Sequence, residues 1–211
     1  MKIAIIGAAG KEGSLLVKEA LERGHEVTAI VRNKNKITDS KVNVIEKDLF
    51  KLVYDDVKDN EVIIDAFGTF NPETLNEHQT SLKHLADMLS GKSNRLLIVG
   101  GAGSLYVDPE HKTRLMDTPD FPDAFKPLAV NMGTAFDSLK TRTDVNWTYL
   151  SPAADFAFDG KRTGKYKIGA EELLLNSNGV STISYADYAT AMIDEAENRN
   201  HIKARFTVVS E

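Results

Sequence analysis

Residues 2–16 restrict the possible folds more than any other stretch of this chain. They read Lys2-Ile-Ala-Ile-Ile-Gly7-Ala-Ala-Gly10-Lys-Glu-Gly13-Ser-Leu-Leu. An apolar, β-branched run stops at Gly7, two further glycines follow at steps of three, and a helical pattern begins after Gly13. The stretch reads as a strand, a glycine turn and a helix N-terminus. Gly7 lets the chain turn where a side chain would clash. Gly10 lets backbone N–H groups approach a pyrophosphate, and Gly13 lets the helix lie tight on the strand. The unpaired N–H groups and positive dipole end of that helix then face the phosphates. We therefore expect Gly7, Ala9, Gly10, Lys11, Glu12 and Gly13 to form the phosphate end of a dinucleotide site. The spacing is GxxGxxG rather than GxGxxG, and the flanking strand and helix give it meaning. The competing reading is a glycine-rich structural turn that holds no ligand.

The chain's 211 residues suffice for one large α/β domain or two small ones, with a core that needs no staples. There is no cysteine, which excludes disulfides, thiolate metal sites and a cysteine nucleophile and fits a reducing cytoplasm. The glycine turn interrupts the N-terminal apolar run too early for a signal-peptide core. No apolar run approaches the ~20 residues that span a bilayer. The formal net charge is −5 with no long basic block, which argues against nucleic acid or an anionic membrane as partner. A cytoplasmic location is expected, so the glycosylation sequon Asn146-Trp-Thr148 is discounted.

Leu15, Leu16, Ala20 and Leu21 make an apolar stripe after the turn, and Gly24 reads as the helix stop. Glu26–Val31 is then a second strand, completing a strand–helix–strand unit. In NAD-binding versions of this unit an acidic side chain near the end of that strand takes the ribose hydroxyls. Here the strand runs into Arg32-Asn33-Lys34-Asn35-Lys36, and the first carboxylate is Asp39. Arginine and lysine suit a 2′-phosphate, so Arg32 and Asn33 favour NADP over NAD. The alternative is a solvated basic loop. Asp48, with Leu49, follows a short third strand at 42–45. It serves either the adenine amino group or the cap of a turn.

A fourth strand at 61–65 leaves through Ala66-Phe67-Gly68, where Gly68 allows close backbone approach. Asn71-Pro72 opens a long helix with Leu75, Leu82, Leu85 and Leu89 buried and Gly91 at its end. His78 and His84 lie six apart and do not share a face as metal ligands would, so no metal site is expected. Arg95–Val99 is a fifth strand that meets the cluster Gly100, Gly101, Gly103 and Ser104, a place where open α/β sheets bind ligands. The loop of about twenty residues that follows is long enough to be functional. A helix over about 121–141, irregular near Pro127, leads to the sixth strand 146–150, which ends in Ser151-Pro152-Ala153. From 152 to 180 the strand–helix alternation breaks, with a short strand read at 164–168. We take this segment as a substrate-side excursion of one domain over 1–211. A helix from Ser184 and a closing strand Arg205–Val209 complete the chain.

These motifs resemble the atypical short-chain dehydrogenases/reductases, in the NmrA-like and biliverdin-reductase-B-like branch, and within it proteins assigned as NADH-flavin reductases. The residues that carry the likeness are Gly7-x-x-Gly10-x-x-Gly13, Val99–Leu105, Asp117–Pro122, Trp147–Ala153, Arg162–Tyr166 and Ser184–Ala189, spread over nearly the whole chain. The resemblance implies an α/β Rossmann-type doubly wound parallel sheet in the order 3-2-1-4-5-6-7. It implies a nicotinamide dinucleotide on the glycine turn, with contacts at Ala66, Phe67, Gly68, Gly100, Gly101, Ser151, Pro152 and Ala153. It also implies a substrate site from the loops after strands five and six and the excursion, with Gly103, Ser104, Arg162 and Tyr166 as candidates.

The wider superfamily works with a Tyr-x-x-x-Lys pair on the helix after strand five. Phe125-Lys-Pro-Leu-Ala129 stands there instead and offers no phenol. Tyr54-Asp-Asp-Val-Lys58 has the spacing but follows strand three, so we read it as a chance match. A flavin, quinone or tetrapyrrole takes hydride with little protein acid–base chemistry, which suits this absence. Ser104 and Tyr106 are then the nearest candidates for a proton; the competing reading makes them a turn residue and a loop-packing aromatic. Three readings stand: a reductase of a flavin (FMN or FAD) or another planar acceptor using NADP or NAD, a non-catalytic dinucleotide sensor of the NmrA type, and an enzyme acting on a nucleotide-linked sugar. The third normally needs the Tyr/Lys pair and a larger C-terminal domain. Monomer and dimer are both open.

Overall fold

Ile3, Ala4, Ile5 and Ile6 are all buried, so the first strand must be covered on both faces. The computed structural model, which describes residues 1–211, meets this demand with a sheet between two helical layers. The strands are β1 Lys2–Ile6, β2 Glu26–Val31, β3 Asn43–Glu46, β4 Val62–Asp65, β5 Arg95–Val99, β6 Asn146–Ser151, β7 Asp155–Ala157, β8 Tyr166–Gly169, β9 Thr182–Ser184 and β10 Ala204–Ser210. The helices are α1 Lys11–Glu22, α2 Tyr54–Val57, α3 Glu77–Met88, α4 Lys126–Lys140 and α5 Tyr185–Asn198. The main sheet has the order β3-β2-β1-β4-β5-β6-β10-β8.

Seven of these strands are parallel and occur in the expected order 3-2-1-4-5-6-7, the closing strand being β10. The difference is β8, which pairs antiparallel with β10 and extends the sheet by one edge strand. The excursion thus returns to the sheet instead of standing apart from it. It also carries β7 and β9, which form a small two-stranded parallel sheet that local periodicity did not reveal.

Alternate residues of β1 feed two separate cores. Ile3 and Ile5 pack with Leu16 and Ala20 of α1 and with Tyr188 and Met192 of α5. Ala4 and Ile6 belong to the opposite face, with Leu82 and Leu85 of α3 and Phe136 of α4. Two helix starts differ from the sequence reading. Asn71 caps a single 3-10 turn at Pro72–Thr74 and α3 proper begins at Glu77, because Pro72 is suited to a first turn. Pro127 likewise lies in the first turn of α4 and does not interrupt it, while 123–125 form a separate 3-10 turn.

The glycine turn is held by backbone contact. Gly7 sits at φ +73°, and a Cβ there would come within 2.7 Å of the Ala66 carbonyl oxygen. At Gly13 a Cβ would lie 2.2 Å from the Gly7 carbonyl oxygen, with no flexible side chain able to give way. Gly13→Ala should therefore lower stability by about 1–3 kcal/mol, the usual penalty of overpacking. Chemical denaturation of the two proteins measures it, and a loss no larger than that of an exposed alanine substitution would contradict this packing.

Candidate functional site

The C-terminal edge of the sheet carries a cleft of about 350 Å3, within the range of small-molecule sites. Its floor and walls come from the ends of β1, β2 and β4 and from the turn after β3. Ten residues expected at the cofactor line it: Gly7, Ala9, Gly10, Arg32, Asn33, Asp48, Leu49, Ala66, Phe67 and Gly68. Gly10 is the N-cap of α1, and no side chain caps that helix. The first helical N–H groups, those of Lys11, Glu12 and Gly13, are the ones a helix leaves unpaired, so the dipole end is available to an anion. The glycine cradle and uncapped helix fit a dinucleotide pyrophosphate.

Charge around the cleft is uneven. Arg32 and Lys36 line it, are exposed, and form no ion pair. Lys47 is committed to Asp56 at 2.7 Å, and Lys34 leans toward Glu46 at 3.7 Å. Asn33 accepts the Asn35 N–H at 3.0 Å, and Asp48 accepts the Phe50 N–H at 2.9 Å. Asp48 therefore caps this turn and also lines the cleft. Lys11 points away from this wall, its Nζ 4.4 Å from the centre of the Phe158 ring.

Glu12 is different. Its side chain is buried, and neither carboxyl oxygen has a hydrogen-bond partner. Burial raises its pKa well above the ordinary carboxylate range, so only its backbone N–H is offered to a phosphate.

The expected acceptor side needs correction at several positions. Ser104 is buried, and its Oγ accepts a 2.9 Å bond from Arg205, so it does not present a hydroxyl to a substrate. Arg162 is turned to Glu19 on α1, at 2.8 Å, instead of toward a ligand. Tyr166 donates to Asp194 of α5 from the edge strand. Arg162 and Tyr166, both in the excursion, thus bond carboxylates on the helical layer beneath it. Tyr106 stacks on His111 at 4.6 Å, and its N–H and carbonyl oxygen bind Glu171 and Leu173. It is a joint between the long loop and the excursion.

Gly100 is a packing position, since a Cβ would meet the Tyr149 ring at 2.2 Å. Gly103 has the same role against Ala129 of α4, at 2.7 Å. Gly101 donates its N–H to Tyr149 Oη at 3.2 Å. Ser151 donates Oγ–H to the Gly101 carbonyl at 3.0 Å, and Pro152 and Ala153 are buried beside it. Tyr54 bonds to Asn94 at the opposite, N-terminal edge of β5, and Lys58 pairs with Asp55. The Tyr-x-x-x-Lys spacing there has no connection with the cleft.

Sequence reading missed a small, mostly apolar cavity of about 20 Å3 beside β4 and β5, capped by α3 and α4, into which a few polar side chains project. Asp65, His78, Ser81 and Tyr149 line it together with Phe67, which also lines the cleft. Asp65 Oδ1 accepts the Phe67 N–H at 3.0 Å, and Oδ2 has no partner in the protein. Burial pushes the Asp65 carboxyl up to about 7, opposed by that single N–H bond. Burial also lowers the pKa of His78, whose Nε2–H donates to the Thr69 carbonyl at 3.0 Å. Tyr149 is pushed up to about 12, again mainly by burial. The available signal was Val62-Ile-Ile-Asp65, a carboxylate ending a wholly apolar strand.

These shifts make stability depend on pH. Asp65 binds its proton more tightly in the folded chain, with a pKa of about 7 against an ordinary value near 4. The native state therefore holds more protons than the unfolded one across that window, and stability falls as pH rises through it, levelling above. Glu12 acts with the same sign. Asp65→Asn and Glu12→Gln should each flatten this fall, measured as unfolding midpoints between about pH 5 and pH 8. A slope unchanged in both variants would show that neither carboxyl is protonated in the folded chain.

Comparison with known proteins agrees with this geometry. Residues 7–196 match the model of a family described as NAD(P)H-binding. YwnB of Bacillus subtilis, an uncharacterized protein, is 49% identical over 212 aligned positions, covering 100% of this chain and 99% of its own. A Streptococcus pneumoniae crystal structure, described as a candidate NADH-flavin reductase, superposes with a TM-score of 0.96 at 47% identity and covers 100% of both chains. A Bacteroides thetaiotaomicron structure described as a candidate epimerase has a TM-score of 0.87 at 38% identity, covering 99% of this chain and 96% of its own. No helix is long and apolar enough to cross a membrane. By the extent of the family match and the likeness over its full length, this chain belongs to the NAD(P)H-binding family with a Rossmann-like fold.

Proposed function

We propose that this chain is a reductase that takes hydride from NADPH, or less readily NADH, and passes it to a flavin or a similar planar acceptor such as a quinone or tetrapyrrole. The observation that carries the reading is a glycine-turn cleft with two unpaired cations, Arg32 and Lys36, on the strand-two side. In this reading the N–H groups of Lys11, Glu12 and Gly13 hold the pyrophosphate. Arg32 and Lys36 take a 2′-phosphate, and Asp48 faces the adenine. Ala66, Phe67, Gly68 and Gly101 flank the path toward the nicotinamide end. The dinucleotide supplies the hydride, and the chain's part is to bind, orient and exclude water. The likeness to the Streptococcus pneumoniae protein supports the choice of acceptor class.

A second reading, a dinucleotide sensor without turnover, is favoured by two observations. Phe125–Ala129 lacks the usual Tyr/Lys pair, and Ser104 is occupied by Arg205. One assay separates the two: oxidation of NADPH and NADH in the presence of FMN, FAD or a quinone. Turnover with at least one acceptor is expected. Tight dinucleotide binding with no turnover for any of them would select the sensor.

Cofactor choice has its own test. A charge-assisted bond contributes ~1.5–3 kcal/mol, so Arg32→Ala should weaken NADPH binding about ten- to a hundredfold. NADH binding should change little, and equal losses for the two dinucleotides would exclude the 2′-phosphate contact. Titration calorimetry with both dinucleotides reads the difference directly.

A further inference from the structure

A planar acceptor that has taken hydride still needs a proton, and the groups expected to supply it are unsuited to do so. Ser104 is buried and bonded by Arg205, Tyr106 is a joint in the loop, and Tyr166 is bonded to Asp194 of α5. The small cavity beside β4 and β5, which holds the Asp65 carboxyl, offers another source. We propose that Asp65 supplies this proton, passing it through one water seated in the cavity beside Tyr149 toward the loop after β5. The inference rests on the reductase reading and deepens it.

Asp65 ends β4 at the C-terminal edge of the sheet, one residue before Ala66, Phe67 and Gly68 enter the cleft wall. Phe67 separates the two spaces and lines both. The cavity, at about 20 Å3, has room for a single water. That water would find Asp65 Oδ2, which has no protein partner, and the Tyr149 hydroxyl. The hydroxyl accepts the Gly101 N–H and has no protein acceptor for its own proton. Tyr149 thereby ties the cavity to the backbone of the loop that follows β5.

The surroundings favour a carboxyl that holds its proton until it is needed. The groups facing Asp65 are His78 from α3 and Tyr149 from β6; β5 contributes Ile98 and Val99, and α4 contributes Met132 and Ala135. No lysine or arginine lines this cavity, and burial lowers the pKa of His78. Asp65 is accordingly poised near neutrality, where an acid serves best.

The balance is simple. A bound dihydronicotinamide would supply one hydride, a proton with two electrons, to one atom of the acceptor. The Asp65 O–H bond breaks, and the proton is passed along to form a new N–H or O–H bond on the reduced acceptor. Asp65 is left as carboxylate and takes its next proton from solvent.

The test has two arms. Carbon-13 NMR of aspartate-labelled protein without cofactor should show one carboxyl titrating near 7, absent from Asp65→Asn. An ordinary titration near 4 would overturn the proposal. In the second arm, kcat for NADPH oxidation with FMN or a quinone is followed against pH. Wild-type kcat should fall on the alkaline side with an apparent pKa near that of the NMR titration. Asp65→Asn should lose about tenfold or more in kcat and lose that limb, with its NADPH Kd unchanged. A merely structural role would not remove the limb while sparing Kd. If Asp65→Asn does not fold, the wild-type titration and alkaline limb decide the matter. Unchanged kcat in the folded variant overturns the proposal and leaves the reductase reading standing. Wild-type protein that binds NADPH but reduces no acceptor overturns both.

Discussion

The first turn of α1 rests directly on the carbonyl group of Gly7, and this backbone contact organises the structure. Without a side chain at Gly13 the helix starts at the strand's end, where its unpaired N–H groups open onto the cleft. The same seat fixes the rotation of α1, so that Leu16 and Ala20 meet Ile3 and Ile5 and the helix lies beside α5. One local approach therefore sets the phosphate end of the cleft and the packing of one whole face. The opposite face, built on Ala4 and Ile6, follows from the alternation of β1 and needs no comparable contact.

Charge in the 152–180 segment serves architecture. Arg162 and Arg23 both bond to Glu19; they hold its carboxyl below the ordinary range although burial alone would raise it. Asp187, at the start of α5, accepts the N–H groups of Thr163 and Gly164 at 2.8 and 2.7 Å and the Thr163 hydroxyl at 2.8 Å. The segment, which also packs Phe156 and Leu174 against the core under α1 and α5, is thus fastened by hydrogen bonds to two helices. Partly buried charge-assisted bonds of this kind are stronger than exposed pairs.

Much of the molecule was legible in the sequence because parallel strands buried on both faces read as apolar runs, and glycines mark their ends. Val27–Val31, Val62–Ile64 and Leu96–Ile98 are such runs, and the residues after them fall where open sheets bind ligands. The cleft wall followed from the same rule. Less legible were features set by partners distant in sequence. Arg162, Tyr166 and Ser104 read as substrate residues because nothing local shows that Glu19, Asp194 and Arg205 claim them. β7 and β9 are three residues each, too short for a period to emerge. The Asp65 cavity joins β4, α3 and β6, and His78 reads as an ordinary helix residue until α3 is laid on the sheet. Glu12 stands in a pattern that described backbone, so the fate of its side chain was silent.

Arg205 has a consequence of its own. Its guanidinium, on β10, binds Ser104 at both Oγ and carbonyl oxygen, and it also reaches the carboxylate and carbonyl oxygen of Glu171. The loop after β5 and the segment before β9 are therefore clamped to one cation, and Tyr106 stitches the same two segments through backbone bonds. They form one mechanical unit hinged on the final strand. Any opening of the acceptor side that preserves these bonds must carry both segments together, and any opening that separates them must leave a buried positive charge unanswered.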